Sequence, residues 1–401
     1  MKRSQKGVTI QILTIGLILF LYSSISWFEV CASSINDNLD WLNMSPSIAP
    51  PAMFAAEMTY DIESDRIILF SGALSPYVVD NGTWAYDYNT NTWENITPIT
   101  KPGGRGGGIM VYDEESDRVI LFGGVRRYYD PPEAHIDWGD TWAFDFNSNT
   151  WENMTPDFSP RSRSIHNMAY DSESDRVILY GGFWGDPSAV GGRRALGDTW
   201  AYDYNSNTWT NMSPVLSPGP LYAFGLAYDS ESDRVVLYGG KFKSNGFTSL
   251  KHETWAYDYN SNNWIEMNPP GSARGNRNRF QMVYHVKWDR ILLFGGDSEA
   301  SAYDDTWVYD YNKDNWTELE PVNRPSSRIY SDLAYDVESD KVILFGGSDL
   351  NNNNFNETWA LISTPKQTTS KLTTPTPGWN VLLGLLALIP IFLWRYWKKK
   401  L

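Results

Sequence analysis

"DSESDRVILYGG", Asp171 to Gly182, returns as "DSESDRVVLYGG" at Asp229 to Gly240, and recognisable relatives stand at four other places in the chain. A repeat at this level overrides the two or three ordinary domains that 401 residues would suggest. The third copy shows the whole unit. "HNMAYD" (His166 to Asp171) leads into "RVILYGG" (Arg176 to Gly182), a variable loop follows, and then come "DTWAYDYN" (Asp198 to Asn205) and "TWTNMSP" (Thr208 to Pro214). Runs this short, rich in β-branched and aromatic residues and bounded by Gly, Asn, Asp and Ser, read as four strands.

The composition agrees: 15% aromatic residues with 19 Trp, 31 Gly and 22 Pro suit many short strands punctuated by turns. The Thr-Trp pairs end at Trp84, Trp142, Trp200, Trp255, Trp307 and Trp359, a period of 52 to 58 residues, which is that of a four-stranded propeller blade. A second Trp follows at Trp93, Trp151, Trp209, Trp264 and Trp316, and the sixth copy lacks one. "LDWLNMSP" (Leu39 to Pro46) matches "NTWENMTP" (Asn149 to Pro156), so the N-terminal segment is expected to supply the last blade's fourth strand and remove an open edge.

With those residues in view the chain resembles the Kelch-repeat β-propeller family over residues 38–362. The resemblance rests on a strand ending in Gly-Gly (Gly123-Gly124, Gly181-Gly182, Gly239-Gly240, Gly295-Gly296, Gly346-Gly347), then Trp-x-Tyr-Asp, then Asn-x-Trp. Ser71-Gly72 replaces the glycine pair in the first copy. The expected fold is all-β: a six-bladed propeller of four-stranded antiparallel blades, closed by the N-terminal strand, with a C-terminal transmembrane helix. The Val-Ile-Leu-Tyr run is apolar on both faces because neighbouring blades sandwich it. The glycines permit positive φ beside bulky rings, and the Asp, Asn and Ser of "DSESDR" suit tight turns. A calcium loop is disfavoured: the EF-hand spacing is absent, and the fifth copy, "HVKWDR" (His285 to Arg290), has lost two carboxylates.

The ends of the chain carry targeting signals. Lys2, Arg3 and Lys6 precede the apolar run Ile12 to Tyr22, and Val30-Cys31-Ala32 supplies small residues for cleavage, so 1–32 reads as a signal peptide or an uncleaved anchor. Residues 363–378 form a Thr/Pro-rich stalk, 379–397 an apolar span with Trp at both margins, and 398–401 a basic cytoplasmic tail. Pro377-Gly378-Trp379 also resembles the sorting tails that some prokaryotic surface proteins exchange for a lipid anchor. The expected location is the cell membrane, single-pass, with the propeller outside. Sequons at Asn43, Asn81, Asn95, Asn153, Asn211, Asn315 and Asn356 are compatible with export. Cys31 is the only cysteine, so the repeats hold no disulfide and no thiolate metal site.

Net charge is −15. Without Lys2, Arg3, Lys6, Arg395, Lys398 to Lys400 and Glu29, 26 basic and 47 acidic residues remain, near −21. That sign argues against nucleic-acid binding and for a self-repelling, monomeric ectodomain. Against it, the loops after Gly-Gly gather Arg126, Arg127, Arg193, Arg194, Lys241 and Lys243 with Tyr128, Tyr129, Trp138, Trp184, Phe242 and Phe247. Basic and aromatic residues on loops held by a rigid scaffold make a candidate recognition surface.

Arg105, Arg163, Arg277 and Arg328, each seven residues before an inner-strand Tyr, fall on the same face. They read either as ties to backbone carbonyls of the next blade or as cations lining the mouth of the central channel.

The family resemblance implies binding more often than catalysis. A galactose-oxidase-like copper site needs a cysteine that the repeats lack; the sialidase turn motif is not matched, and neither Gly-x-Ser-x-Gly nor His-Glu-x-x-His occurs. The histidines His135, His166, His252 and His285 lack ligand spacing. The expectation is a membrane-anchored module, without cofactor, that recognises a protein or a glycan. The alternative is a cell-surface carbohydrate-active enzyme with its site at the channel mouth.

Overall fold

In the third repeat a single turn builds the strand pair. The computed structural model describes residues 39–363 apart from 77, 127–136, 186–192, 245–246, 272 and 274. In it the inner strand Asn167–Asp171 runs antiparallel to Arg176–Tyr180, with Asp171 opposite Arg176. The Asp171 carboxylate accepts the Ser174 backbone N–H at 3.0 Å, and Asp175 turns the chain at φ 53°. Asp175 also receives the Tyr170 hydroxyl (3.0 Å) and Asn205 Nδ2 (3.2 Å), while Arg176 bridges Asp175 and Asp203. The acidic residues of the repeat thus serve as turn acceptors. Where His285 replaces the first Asp, a short 3₁₀ turn over Val286–Trp288 takes over, and Asp289 keeps the left-handed φ of 52°.

Thr199–Asp203 and Thr208–Asn211 complete the sheet. Among the described residues six such four-stranded antiparallel sheets recur, and no sheet closes on itself. In the sixth, Leu39–Asn43 pairs with Thr358–Ser363 and lies outermost, as the match of "LDWLNMSP" to the other outer strands predicts. The inner strands neighbour one another in sequence order, Glu57–Asp61, Ile109–Asp113, Asn167–Asp171, Gly225–Asp229, Gln281–His285 and Asp332–Asp336, and the last packs beside the first. This is the arrangement of a β-propeller.

Two sets of bonds tie each blade to the next. The outer-strand indoles donate to the buried Thr of the Thr-Trp pair in the preceding blade's third strand. Trp151 bonds to Thr83, Trp209 to Thr141, Trp264 to Thr199, Trp316 to Thr254, Trp93 to Thr358 and Trp41 to Thr306, all at 2.9–3.1 Å. Trp41 is therefore the sixth blade's missing Trp. The second glycine of each blade donates its N–H to a carbonyl of the following blade, for example Gly240 to Arg277 O at 2.8 Å, and Gly347 closes the set on Met53 O at 2.9 Å.

Between blades lie the second strands, whose Val177, Ile178, Leu179 and Tyr180 are buried on both faces. The glycines are required here: Gly240 sits at φ 94°, and a Cβ on it would lie 2.6 Å from Phe224 Cβ. Gly240→Ala is expected to destabilise by about 2 kcal/mol or more, while Gly271→Ala, with nothing within 4 Å, should be near neutral. Urea denaturation of the two variants checks this.

Candidate functional site

Strand direction puts the loops after Gly-Gly and those entering the inner strands on one face, and two of the former are not irregular. Phe183–Gly185 pairs with Arg193–Ala195, and Lys241–Ser244 pairs with Phe247–Leu250 on one edge and Leu221–Tyr222 on the other. The sequence reading missed these hairpins because their strands are short and mixed in polarity. In the first blade the second and third strands, Arg66–Ser75 and Val78–Asp87, extend to ten residues each.

The hairpins of blades three and four bring together part of the predicted recognition set. Phe183 stacks on Tyr222 with ring centroids 4.3 Å apart, and Arg193 and Lys243 lie 4.5 and 5.0 Å over the Phe183 ring. Arg193 is held by Asp137 at 2.9 Å, and Lys241 is ion-paired with Glu299. Lys251 lies 5.5 Å over Phe242, and Arg161 lies 3.9 Å over Trp184.

Lys243 differs. Among the described residues no carboxylate pairs with it, and partial burial followed by the charges of Arg193 and Lys241 lowers its pKa. Phe183 and Tyr222 were not singled out from the sequence; the first aromatic after Gly-Gly was the available signal.

The remaining predicted residues scatter. Arg194 is exposed on the same hairpin, Arg126 is exposed in the second blade, and Phe247 is 79% exposed at its hairpin's tip. Trp138 is covered by Arg105, 5.0 Å over its ring. Arg127, Tyr128 and Tyr129 lie outside the described residues. The predicted reversal of charge is partly offset, since Asp137 and Glu299 neutralise two of its cations.

The four arginines need correction on both readings. Arg105, Arg163, Arg277 and Arg328 are fully buried and do not line the channel. Each clasps the carboxylate just before the Thr-Trp pair of its own blade: Asp140 at 2.7 Å, Asp198 at 2.7 Å, Asp305 at 2.7 Å and Glu357 at 2.7 Å. Each also donates to the first glycine's carbonyl of its own blade: Gly123 O, Gly181 O, Gly295 O and Gly346 O. They are ties within a blade, not to the next one, and none gives the channel a cation. The other two blades carry Met53 with Gly82, and Leu221 with Glu253, whose carboxylate turns instead to Lys251.

The sequence reading also missed the channel interior. At the hairpin face one residue per blade enters a closed circle of backbone bonds. Ala55 donates to Tyr330, Tyr330 to Arg279, Arg279 to Ala223, Ala223 to Ile165, Ile165 to Gly107 and Gly107 to Ala55, at 2.7 to 3.2 Å. All six have left-handed φ, from 50° to 62°.

Beneath this annulus a cavity of about 560 Å³ runs along the inner strands. Its first layer holds Glu57, Asn167, Gln281 and Asp332, and Asn167 Nδ2 donates to Gln281 Oε1 at 3.1 Å. Asp332 accepts the N–H groups of Met58 (2.5 Å) and Leu333 (2.8 Å). Burial pushes Asp332 up to about 7. Burial, then the charge of Asp332, raises Glu57 well above the usual carboxylate range.

The profile of the KLHDC2/KLHL20/DRC7 Kelch-repeats domain matches this chain over residues 29–220 and again over 139–331. The chain belongs to the Kelch-repeat family. Among curated relatives it is similar to the flagellar outer-arm dynein alpha chain of Chlamydomonas reinhardtii, 24% identical over 58% of this chain and 5% of that one. It is also similar to Mei4-dependent protein 6 of Schizosaccharomyces pombe, 23% identical over 73% of this chain and 44% of that one. The chain thus spans less than half the length of either.

Kelch repeats are in general non-catalytic scaffolds that bind protein partners. That family character suits the hairpin face. It also changes the weight of the sequons. In this Kelch chain Asn43, Asn95, Asn153 and Asn211 occupy one position, two residues after the outer-strand Trp, and each side chain accepts the backbone N–H of the Ser or Thr two residues on. The turn alone accounts for their recurrence. No helix among the described residues is long and apolar enough to cross a membrane. The predicted signal peptide, stalk, span and tail lie outside those residues.

Proposed function

We propose that this chain is a membrane-anchored, outward-facing Kelch module that binds a protein partner through the hairpins of blades three and four. The observation that carries the reading is Lys243. It lies against the stacked Phe183–Tyr222 pair, flanked by Arg193 and Lys241, with no carboxylate partner among the described residues. Aromatic anchors ringed by cations fit an acidic patch with an apolar centre, and such anchors carry most of the binding energy at interfaces. The third strand of the sixth blade ends at Ser363 on the side opposite the hairpins.

The test is binding of the full-length chain, held in detergent, to arrayed surface proteins and glycans. Saturable protein binding that falls at least tenfold in Phe183→Ala with Lys243→Glu supports the reading, the combined loss being on the order of 2 kcal/mol. Unchanged binding in that variant, or binding to glycans alone, sinks it. Carbonate extraction and external protease on intact cells test the anchoring: a chain released by carbonate, or a propeller shielded from the protease, overturns it.

A further inference from the structure

The central cavity has the features of a binding site that the hairpin face does not use. It is narrow at one end and open at the other. The backbone annulus constricts it at the hairpin face, whereas Ile62, Glu114, Ser172, Ser230 and Val286, at its opposite mouth, are exposed. Its volume of about 560 Å³ falls within the size range of small-molecule sites.

The wall is layered by inner-strand position. Behind the Glu57 layer come Met58, Met110, Met168, Leu226, Met282 and Leu333, and nearer the open mouth six tyrosines, Tyr60, Tyr112, Tyr170, Tyr228, Tyr284 and Tyr335. Thioethers adapt to flexible aliphatic ligands, and phenol rings favour the passage of cations.

The constricted end holds two buried carboxyl groups with no cation beside them among the described residues. Glu57 is 4% exposed and lines the cavity, and among the described residues its carboxylate accepts no hydrogen bond. Among the described residues Asp332 is engaged by two backbone N–H groups. A buried carboxylate without a donor is costly, and a bound cation would remove the cost. A hard metal ion is a poor match: calcium takes six to eight oxygens, while Asn167 and Gln281 are bonded to each other and no group of three acidic or histidine side chains among the described residues could hold a metal. An ammonium group needs only two or three acceptors and brings an aliphatic stem for the Met and Leu layer.

We propose that the channel binds a slender organic cation, a primary alkylammonium, which enters from the tyrosine end and sets its charged head between Glu57 and Asp332. The burial that raises both carboxylates' pKa is the same desolvation that such a head would offset.

The test is isothermal titration calorimetry of the full-length chain in neutral detergent with 1,6-diaminohexane and spermidine, and with 1,6-hexanediol and calcium chloride as contrasting probes. Saturable binding of an amine, absent for the diol and weakened at least tenfold by Glu57→Gln and by Asp332→Asn, is the expected result. Glu57→Gln disturbs no hydrogen bond among the described residues, so loss of amine binding in it reports the site; Asp332→Asn turns an amide NH2 toward the backbone N–H of Met58 or Leu333, and its melting temperature is measured beside its binding. Thr59→Phe, which narrows the cavity between the tyrosine mouth and the carboxylates, should also abolish binding. No amine binding, amine binding that survives Glu57→Gln with Asp332→Asn, or calcium binding in preference to amines would overturn the proposal. Because the hairpins take no part, loss of the surface function leaves this result unaffected.

Discussion

Replacing Arg277 by Met is expected to destabilise the protein by about 3–5 kcal/mol, the cost of leaving a buried charge without its partner. Arg277 is 0% exposed and Asp305 1%, the most buried of the four such pairs. The guanidinium makes a fork, Nη1 to Asp305 Oδ1 at 2.8 Å and Nη2 to Oδ2 at 2.7 Å, with a third bond to Gly295 O at 2.8 Å and the Tyr303 ring 4.5 Å beneath. The Asp305 carboxylate also accepts the Trp307 indole at 2.9 Å.

The protein contains its own comparison. Its first blade lacks both charges, with Met53 and Gly82 at the two positions. Arg277→Met combined with Asp305→Gly, which copies that blade, should recover a substantial part of the loss, because a missing pair costs far less than half a pair. Chemical denaturation of the two single variants and the double variant gives the coupling energy. A single-variant loss below about 1 kcal/mol, or additive losses, would show that the pair is not a stabilising unit.

Removing the N-terminal strand is expected to have the largest effect. A chain starting at Pro46 loses the pairing of Leu39–Asn43 with Thr358–Ser363. It loses the buried Trp41, whose indole bonds to Thr306 and whose ring meets Phe294 edge-on at 5.4 Å. It also loses the clasp in which Asn323 N and Nδ2 donate to Asp40 at 2.6 and 2.7 Å. Truncating a buried Trp alone costs about 3–5 kcal/mol, so the whole strand should cost about 5 kcal/mol or more.

The exposed edge of Thr358–Ser363 would then be open to pairing with other chains. Thermal unfolding with size-exclusion chromatography should show a strongly lowered melting temperature and association. A synthetic peptide spanning residues 36–48, added in trans, should reverse both. A truncated chain that melts within a few degrees of the intact one would mean that the sixth blade is stable with three strands.

The blades were legible because every blade poses the same local problem. A turn needs Asp171 to accept an amide, a strand between two neighbours needs Val177 to Tyr180 apolar on both sides, and a close approach needs Gly181 and Gly182; six answers to one question appear as a repeat. The match between "LDWLNMSP" and the outer strands located Trp41 for the same reason. The four arginines also repeat, but the partner chosen for them was wrong. The carboxylate before Thr-Trp stands 28 to 35 residues downstream, and only blade geometry shows that the two ends of a blade's second and third strands meet there.

The tertiary structure alone decided what lies in the channel. The first inner-strand position holds Glu57, Ile109, Asn167, Gly225, Gln281 and Asp332, six different residues that read as noise in a repeat alignment. Asp332 accepts a bond from Met58, 274 residues away in sequence, because the sixth blade packs beside the first. The recurring residues solve the packing of one blade on the next and are therefore written in local spacing. The residues that face the axis answer to the other blades across it, and that relation exists only once the ring is closed.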